Sequence, residues 1–371
     1  MAQPRKIIFY THALAGGGAE RVFALLASGL ARRGHVVMLA TDREASENKG
    51  FLDSSVELVN VGTGHASSIL NLAKLIRQAR PDIVMSALAA SNFKMFCASL
   101  LAGAWGRTIQ TLHGFYEVEP GLLSRLGYFA LPISSRVLGA TIAVSQALRD
   151  DLVARFHADR ARTICIHNPI EIDADFVSPT RADLQRRAPL VLAVGRLQSV
   201  KSFDLLLKAF AALKTPNVHL ALVGEGSEGA ALADLAMSLG IADRVAMPGY
   251  VSPATPWYDK AACLVVSSKS ESFGLTLVEA MARGVPVVST DSQGPREVLG
   301  DGRFGTLVPF GDVAALAQAI DAALADPGDP SARMAYASSF ALDPILDRYE
   351  AVMNRLSSQR PSPDQTTPDA A

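Results

Sequence analysis

Cysteine is scarce: Cys97, Cys165 and Cys263 are the only three in 371 residues, scattered and set in apolar runs. That number and spacing exclude a disulfide framework and read as small core residues in a reducing compartment. Charge is scarce too, at 19% of residues, and its two signs nearly cancel to a formal net of −1. With no basic excess to neutralise phosphates, nucleic acid is not expected as a partner. Long apolar runs are missing as well. The most apolar stretch, 95–105, is about half a membrane span and is interrupted by Ser99 and Gly103, so no transmembrane helix is expected. The chain passes from Arg5 and Lys6 straight into the strand-like 7–10, without a signal peptide's apolar region or cleavage site, so a cytoplasmic location is expected. What the chain does have is apolar residues, 49% of the total, and length for about two domains, so sizeable cores are within reach.

Short apolar runs alternate with helical patterns. Strands are expected at 6–10, 35–40, 56–61, 82–86, 108–112, 141–144 and 163–166, with helices near 18–33 and 68–80. Alternation of this length predicts an α/β fold with a parallel sheet covered on both faces. The rhythm breaks at Asn168-Pro169-Ile170, and 171–189 carries prolines and charges with little periodicity. It restarts with strands at 190–194, 219–223, 244–247, 263–267 and 285–289, helices at 203–213 and 228–239, and closing helices near 312–325 and 344–356. The expected organisation is a Rossmann-like domain over 1–168, a linker over 169–189, a second such domain over 190–342, a last helix over 343–356 and a disordered tail over 357–371. Ligands of such sheets bind at the carboxyl ends of the strands, which places the site in a cleft between the halves.

The densest chemical signal lies in 270–289, S-E-S-F-G-L-T-L-V-E-A-M-A-R-G-V-P-V-V-S. A loop carrying Glu271 leads through Phe273-Gly274-Leu275 into a short helix ending near Arg283, with Gly284 as its left-handed cap. The junction aims free N–H groups and the positive end of the helix dipole at whatever lies above, which suits a pyrophosphate. Glu279, one turn into that helix, and Glu271, just before it, reach one cleft from different heights, and neither has a neutralising neighbour in sequence. Arg196 at a strand end and Lys201 before a helix converge on a diphosphate, one as a planar fork and one as a point charge. Such a pair steadies charge gathering on a departing phosphate.

In the first half, Ala15-Gly16-Gly17-Gly18-Ala19-Glu20-Arg21 joins the first strand to the first helix, whose start offers N–H groups to an anion or a sugar hydroxyl. Its spacing departs from G-x-G-x-x-G, and only Asp42 stands near the place of a ribose carboxylate, which speaks against a nicotinamide dehydrogenase. His113 follows the strand 108–112 at the cleft edge, where a structural and a functional role stand level. Ser145 reads as the cap of a helix beginning at Gln146. The turns Val223-Gly224-Glu225-Gly226 and Pro248-Gly249-Tyr250-Val251 are expected to wall a nucleotide pocket. Asp173-Ala174-Asp175 has the D-x-D form of metal-dependent sugar transferases but falls in the linker, so no metal is expected there. The apolar segment from Leu122 through Phe129 to Ile133, with Arg125 and Arg136 nearby, either packs in the first domain or rests on a bilayer.

Arg196 and Lys201, the G-E-G turn, the Glu271–Glu279 pair and G-P-R-E-V-L-G-D-G-R-F-G-T-L-V-P together resemble the retaining GT-B glycosyltransferases of glycosyltransferase family 4, over nearly the whole chain. The most specific element is E-x7-E joined to F-G-L and E-A-M-A-R-G-V-P-V-V-S-T-D. The resemblance implies two Rossmann-like parallel-sheet domains facing an interdomain cleft, with the last helix crossing back to the first domain. It implies that Glu279 hydrogen-bonds the donor's ribose, that Glu271 faces the hexose hydroxyls, and that the amides of Phe273, Gly274 and Leu275, with Ser272 beside them, hold pyrophosphate and sugar. Arg196 and Lys201 would bind the diphosphate, and the main chain around Tyr250 and Val251 would bracket the base, with Glu225 and Gly226 in the pocket wall. Gly17 and Gly18 would close over the phosphates or the acceptor, with His113 near the reacting sugar. The family's glycine after the lysine is Ser202 here, which questions loop geometry more than activity.

The implied reaction moves a hexose or N-acetylhexosamine from a nucleoside-diphosphate sugar, UDP-sugars among them, to an acceptor hydroxyl, with retention and with no metal or other cofactor. The G-P-R-E form at 294–297 points to members that build capsule, exopolysaccharide, O-antigen or glycans, hence to a glycan or polyprenyl-diphosphate-linked acceptor and a peripheral place on the inner face of the plasma membrane. Two alternatives stay open: a silent nucleotide-sugar binder acting as a regulator, and a sugar-nucleotide epimerase on the same architecture. Intact Glu271, Glu279, Arg196 and Lys201 speak against the first, and the second ignores any acceptor.

Overall fold

In the computed structural model, which describes residues 3–44, 47–173 and 175–358, the apolar runs form two separate sheets. The first holds β1 (Lys6–Thr11), β2 (Val36–Thr41), β3 (Glu57–Asn60), β4 (Ile83–Ala87), β5 (Thr108–Leu112), β6 (Ala140–Ala143) and β7 (Thr163–Cys165), in the order β3-β2-β1-β4-β5-β6-β7. The second holds β8 (Leu190–Val194), β9 (His219–Val223), β10 (Val245–Gly249), β11 (Cys263–Val266), β12 (Val287–Thr290) and β13 (Thr306–Val308), in the order β10-β9-β8-β11-β12-β13. All pairings between these strands are parallel. Five consecutive buried residues in β1 and in β4 reflect strands covered on both faces, whereas the edge strand β10 is buried nowhere. The strand order reverses at β1/β4 and at β8/β11, the two places where such sheets open a crevice at their carboxyl ends.

The last helix, Leu342–Ser358, belongs to the first domain's core: Ile345, Leu346 and Tyr349 pack in one cluster with Phe9 and Phe23. Gly29 makes the approach possible, since a Cβ there would lie 2.6 Å from Leu346 Cδ1. Arg33 closes the contact through Asp347 at 2.7 Å and Glu350 at 2.6 Å. The chain thus passes between the domains twice, and the two passages run side by side, with the Ile170 N–H donating to the Phe340 carbonyl at 2.9 Å.

Several details differ from the sequence expectation. The stretch 171–189 contains a short helix, Arg181–Gln185, started by a capping box in which Thr180 and Asp183 satisfy each other's N–H groups. The strand expected at 285–289 begins only at Val287, because Gly284 (φ 72°) and Pro286 occupy the preceding turn. The most apolar stretch starts in the helix Ala89–Ala102 and runs past its Gly103 cap, and that helix packs against the helix Leu122–Phe129 across Gly127. No helix among the described residues is long and apolar enough to cross a membrane. The tail expected to be disordered lies, from residue 359 on, outside the described residues.

Candidate functional site

After β11 the chain runs through Glu271 to Gly274, whose φ of 94° turns it into the helix Leu275–Ala282. No side chain caps that helix start, so its first N–H groups stay open. The loop is braced from behind. The Gly294 N–H donates to the Glu271 carbonyl at 3.0 Å, and Phe273 stacks on His167 and meets Phe340 edge-on. Lys201, in the turn Ser199–Lys201 after β8, pairs with the Glu271 carboxylate, and Ser268 Oγ lies 3.4 Å from the same oxygen. Ser202 adopts φ 49°, the left-handed conformation a glycine would take, with its hydroxyl on the Ser199 carbonyl at 3.2 Å.

Two glycine turns set the neighbouring wall. Cβ atoms on Gly224 and Gly226 would strike the carbonyls of Gly195 and Leu197, so the G-E-G turn nests on the turn that carries Arg196. Glu225 accepts from the Tyr250 N–H at 3.3 Å, and Val251 follows, half-buried. The first domain closes on this wall: a Cβ on Gly16 would lie 3.1 Å from the Tyr250 ring, and one on Gly18 3.8 Å from the Leu275 side chain. Arg196 is exposed and faces Glu20 across the gap.

The two glutamates, which had no neutralising neighbour in sequence, both have one in space. Glu271 has Lys201. Glu279 is paired with Arg21 of the first domain and accepts from the Tyr258 hydroxyl at 2.6 Å. Neither Arg21 nor Tyr258 was singled out: Arg21 stands 258 positions from its partner, and only its place in the glycine-rich motif marked it. At Gly17 the start of the helix Gly18–Arg32 carries the chain's own Glu20 carboxylate, folded back over Gly17, where phosphates or the acceptor were expected to be closed over.

His113 is buried beyond β5, with Nε2 3.1 Å from Thr111 Oγ1. Burial brings its imidazole down to about 4, against a smaller pull from Asn168, so the ring is neutral at neutral pH. Its carbonyl accepts from Ser272 Oγ, tying the first domain to the loop before the helix Leu275–Ala282. Beside it lies Glu119, another residue the sequence did not flag, pushed up to about 7 by burial despite N–H donors from Ala89 and Gly114. Ser145 caps its helix, accepting from the Leu148 N–H at 3.2 Å. Glu297, from the G-P-R-E element, accepts from the N–H groups of Gln146 and Ala147 and meets His167 at 2.7 Å. Burial opposes its charge, yet these partners hold it below the usual carboxylate range, so it caps a first-domain helix from the second domain. With Cys165 it completes a group close enough to hold a metal ion. Asp173 of the D-x-D is spent on Arg283 at 2.8 Å, and Ala174 lies outside the described residues.

Comparison with known proteins matches both halves. Residues 16–174 fit the family model "Glycosyltransferase Family 4" and residues 179–339 fit "Glycosyl transferases group 1". The lipopolysaccharide core biosynthesis glycosyltransferase LpsE of Rhizobium meliloti is 28% identical over 84% of this chain and 86% of its own. A D-inositol 3-phosphate glycosyltransferase of Mycobacteroides abscessus is 36% identical over 57% of this chain, which spans about half, 52%, of that protein. Among solved structures, Anabaena HepE in complex with UDP and glucose superposes with a TM-score of 0.81 over 95% of this chain and all of its own, at 23% identity, which speaks for a common GT-B fold. With one model on each domain and the junction between them at the linker, the chain belongs to the group 1, family 4 glycosyltransferases.

Proposed function

We propose that this glycosyltransferase retains anomeric configuration, needs no metal, and moves a hexose or N-acetylhexosamine from a nucleoside-diphosphate sugar to an acceptor hydroxyl on a lipid-linked or growing glycan. The observation that carries the reading is the open start of the helix Leu275–Ala282, with the Lys201–Glu271 pair at its mouth and the exposed Arg196 in the turn after β8. A diphosphate entering there meets N–H donors, draws Lys201 and Arg196 onto its oxygens, and frees Glu271 for the sugar hydroxyls and Glu279 for the ribose. The acceptor attacks on the face the phosphate leaves, and the leaving oxygen takes its proton. HepE's complex with UDP and glucose supports a UDP-hexose as donor, and the name of LpsE supports a place in lipopolysaccharide or related surface-polysaccharide assembly. Screening the purified protein for hydrolysis of UDP-, GDP- and ADP-sugars in the presence of chelator tests this. Binding without turnover favours the silent binder, and donor interconversion without acceptor favours the epimerase.

The apolar segment divides in two. Tyr128 and Leu131 pack inward, while Leu122 (74% exposed), Phe129 (65%) and Ile133 (63%) face out beside Arg125 and Arg136. That supports peripheral contact with the inner face of the plasma membrane, where a lipid-linked acceptor resides. The protein is expected to float with liposomes containing anionic lipid, and L122S/F129S/I133S to weaken that binding by about tenfold or more. Wild-type protein left at the bottom of the gradient removes the membrane contact.

A further inference from the structure

The carboxyl edge of the first sheet holds side chains to which the proposed donor site gives no role. β1 delivers His12 and β2 delivers Asp42. Asp42 is fully buried and takes Tyr10 Oη at 2.8 Å, Lys94 Nζ at 2.6 Å and His12 Nδ1 at 2.8 Å. Lys94, itself buried, balances its charge. The carboxylate therefore fixes one tautomer of His12, with the proton on Nδ1 and a lone pair on Nε2. The His12 side chain is 47% exposed, so that lone pair is open to a ligand.

Glu20 stands within electrostatic reach of His12. Burial pushes the Glu20 carboxyl up, its own N–H, Arg196 and His12 pull it down, and Glu47 adds to the push. Its carboxylate is folded over Gly17 at the start of the helix Gly18–Arg32. The cleft thus has two helix starts of opposite character. The one after Gly274 is uncapped and free for an anion; the one after Gly17 is already filled by a carboxylate. An anionic ligand at the second meets like charge, whereas a hydroxyl finds acceptors in Glu20 and in His12 Nε2.

We infer that His12, oriented by Asp42, and Glu20 form the acceptor subsite, and that it takes adjacent hydroxyls of an uncharged sugar in preference to a phosphorylated one. The inference rests on the transferase reading. In the transfer step the acceptor oxygen bonds to the anomeric carbon as that carbon's bond to the diphosphate oxygen breaks, and the proton passes to the departing phosphate. The neighbouring hydroxyls stay hydrogen-bonded to Glu20 and His12, which position the acceptor and gain or lose no bond.

The test uses the full-length protein with the donor found by the hydrolysis screen, octyl glucoside and octyl galactoside as neutral probes, and glucose 6-phosphate and D-inositol 3-phosphate as charged ones. The phosphorylated probes are expected to be poorer in kcat/KM by about tenfold or more. His12→Ala and Glu20→Ala are each expected to raise the KM for the neutral probe by about tenfold, the scale of one lost hydrogen bond to a charged or oriented group, with the donor KM moving less than about twofold. Glu20→Gln keeps the shape and removes the charge. It is expected to relax discrimination against the phosphorylated probes, a change that a merely structural role does not produce. Unchanged acceptor KM in these variants overturns the subsite, and so does preference for the phosphorylated probes that is lost in Arg43→Ala, since the exposed Arg43 sits beside His12. A wild-type protein that turns over no nucleotide sugar overturns the transferase reading instead.

Discussion

Glu271→Ala and Lys201→Ala are each expected to lower nucleotide-sugar turnover by roughly a hundredfold to a thousandfold, the scale of a lost electrostatic contact to charge that develops in the transition state. The two side chains form one partly buried pair at the mouth of the helix Leu275–Ala282. In the proposed reaction they part company: Lys201 follows the diphosphate and Glu271 turns to the sugar. Removing either leaves the other with a charge it no longer shares, so the double variant is expected to fall little below the worse single one. Arg196 is exposed, and Arg196→Ala is expected to cost less, about tenfold. Steady-state kcat and KM for the donor check all four proteins. Near-wild-type kcat in both single variants sinks the assignment.

What the sequence made legible is what is local. The strand–helix rhythm gave the two sheets because a strand covered on both faces must be apolar without alternation, as β1 is. The loop leading into the helix Leu275–Ala282 was readable because Gly274, the short helix and Gly284 all lie within a dozen or so positions, each with its own conformational signature. Side-chain pairings across the cleft have no such signature. Arg21 with Glu279 and Glu297 with Gln146 depend on how two domains are placed, which no periodicity records. Ser202 shows the converse: where the family has glycine, a serine occupies the left-handed region, at a modest cost. His113, balanced between roles by its position after β5, lies buried, which leaves it neutral, and its carbonyl accepts from Ser272. In the glycine run the sequence pointed to a helix start that offers N–H groups to an anion or a sugar hydroxyl, and it is Glu20 of the same motif that folds over Gly17.

Gly294→Ala is expected to destabilise the fold by about 2 kcal/mol and to lower turnover by about tenfold to a hundredfold. Its helical position argues the other way, since alanine is favoured over glycine inside a helix by up to about 1 kcal/mol. Contact decides against it. A Cβ at 294 would lie 2.5 Å from the Glu271 oxygen, 2.5 Å from the Phe273 nitrogen and 2.6 Å from the Ser272 carbonyl carbon, all main-chain atoms that cannot swing aside as a side-chain tip does. Either the helix Gln293–Val298 retreats, drawing Glu297 away from His167 and the Gln146 N–H, or the loop shifts, drawing Glu271 from Lys201 and Ser272 from His113. Both routes disturb the proposed donor site through contacts that hold the domains together. Gly106→Ala is the control, because a Cβ there meets nothing within 4 Å and the change is expected to stay within about 0.5 kcal/mol. Urea unfolding and donor turnover are the measurements, and a Gly294→Ala protein matching wild type in both would show that the loop is not held from behind.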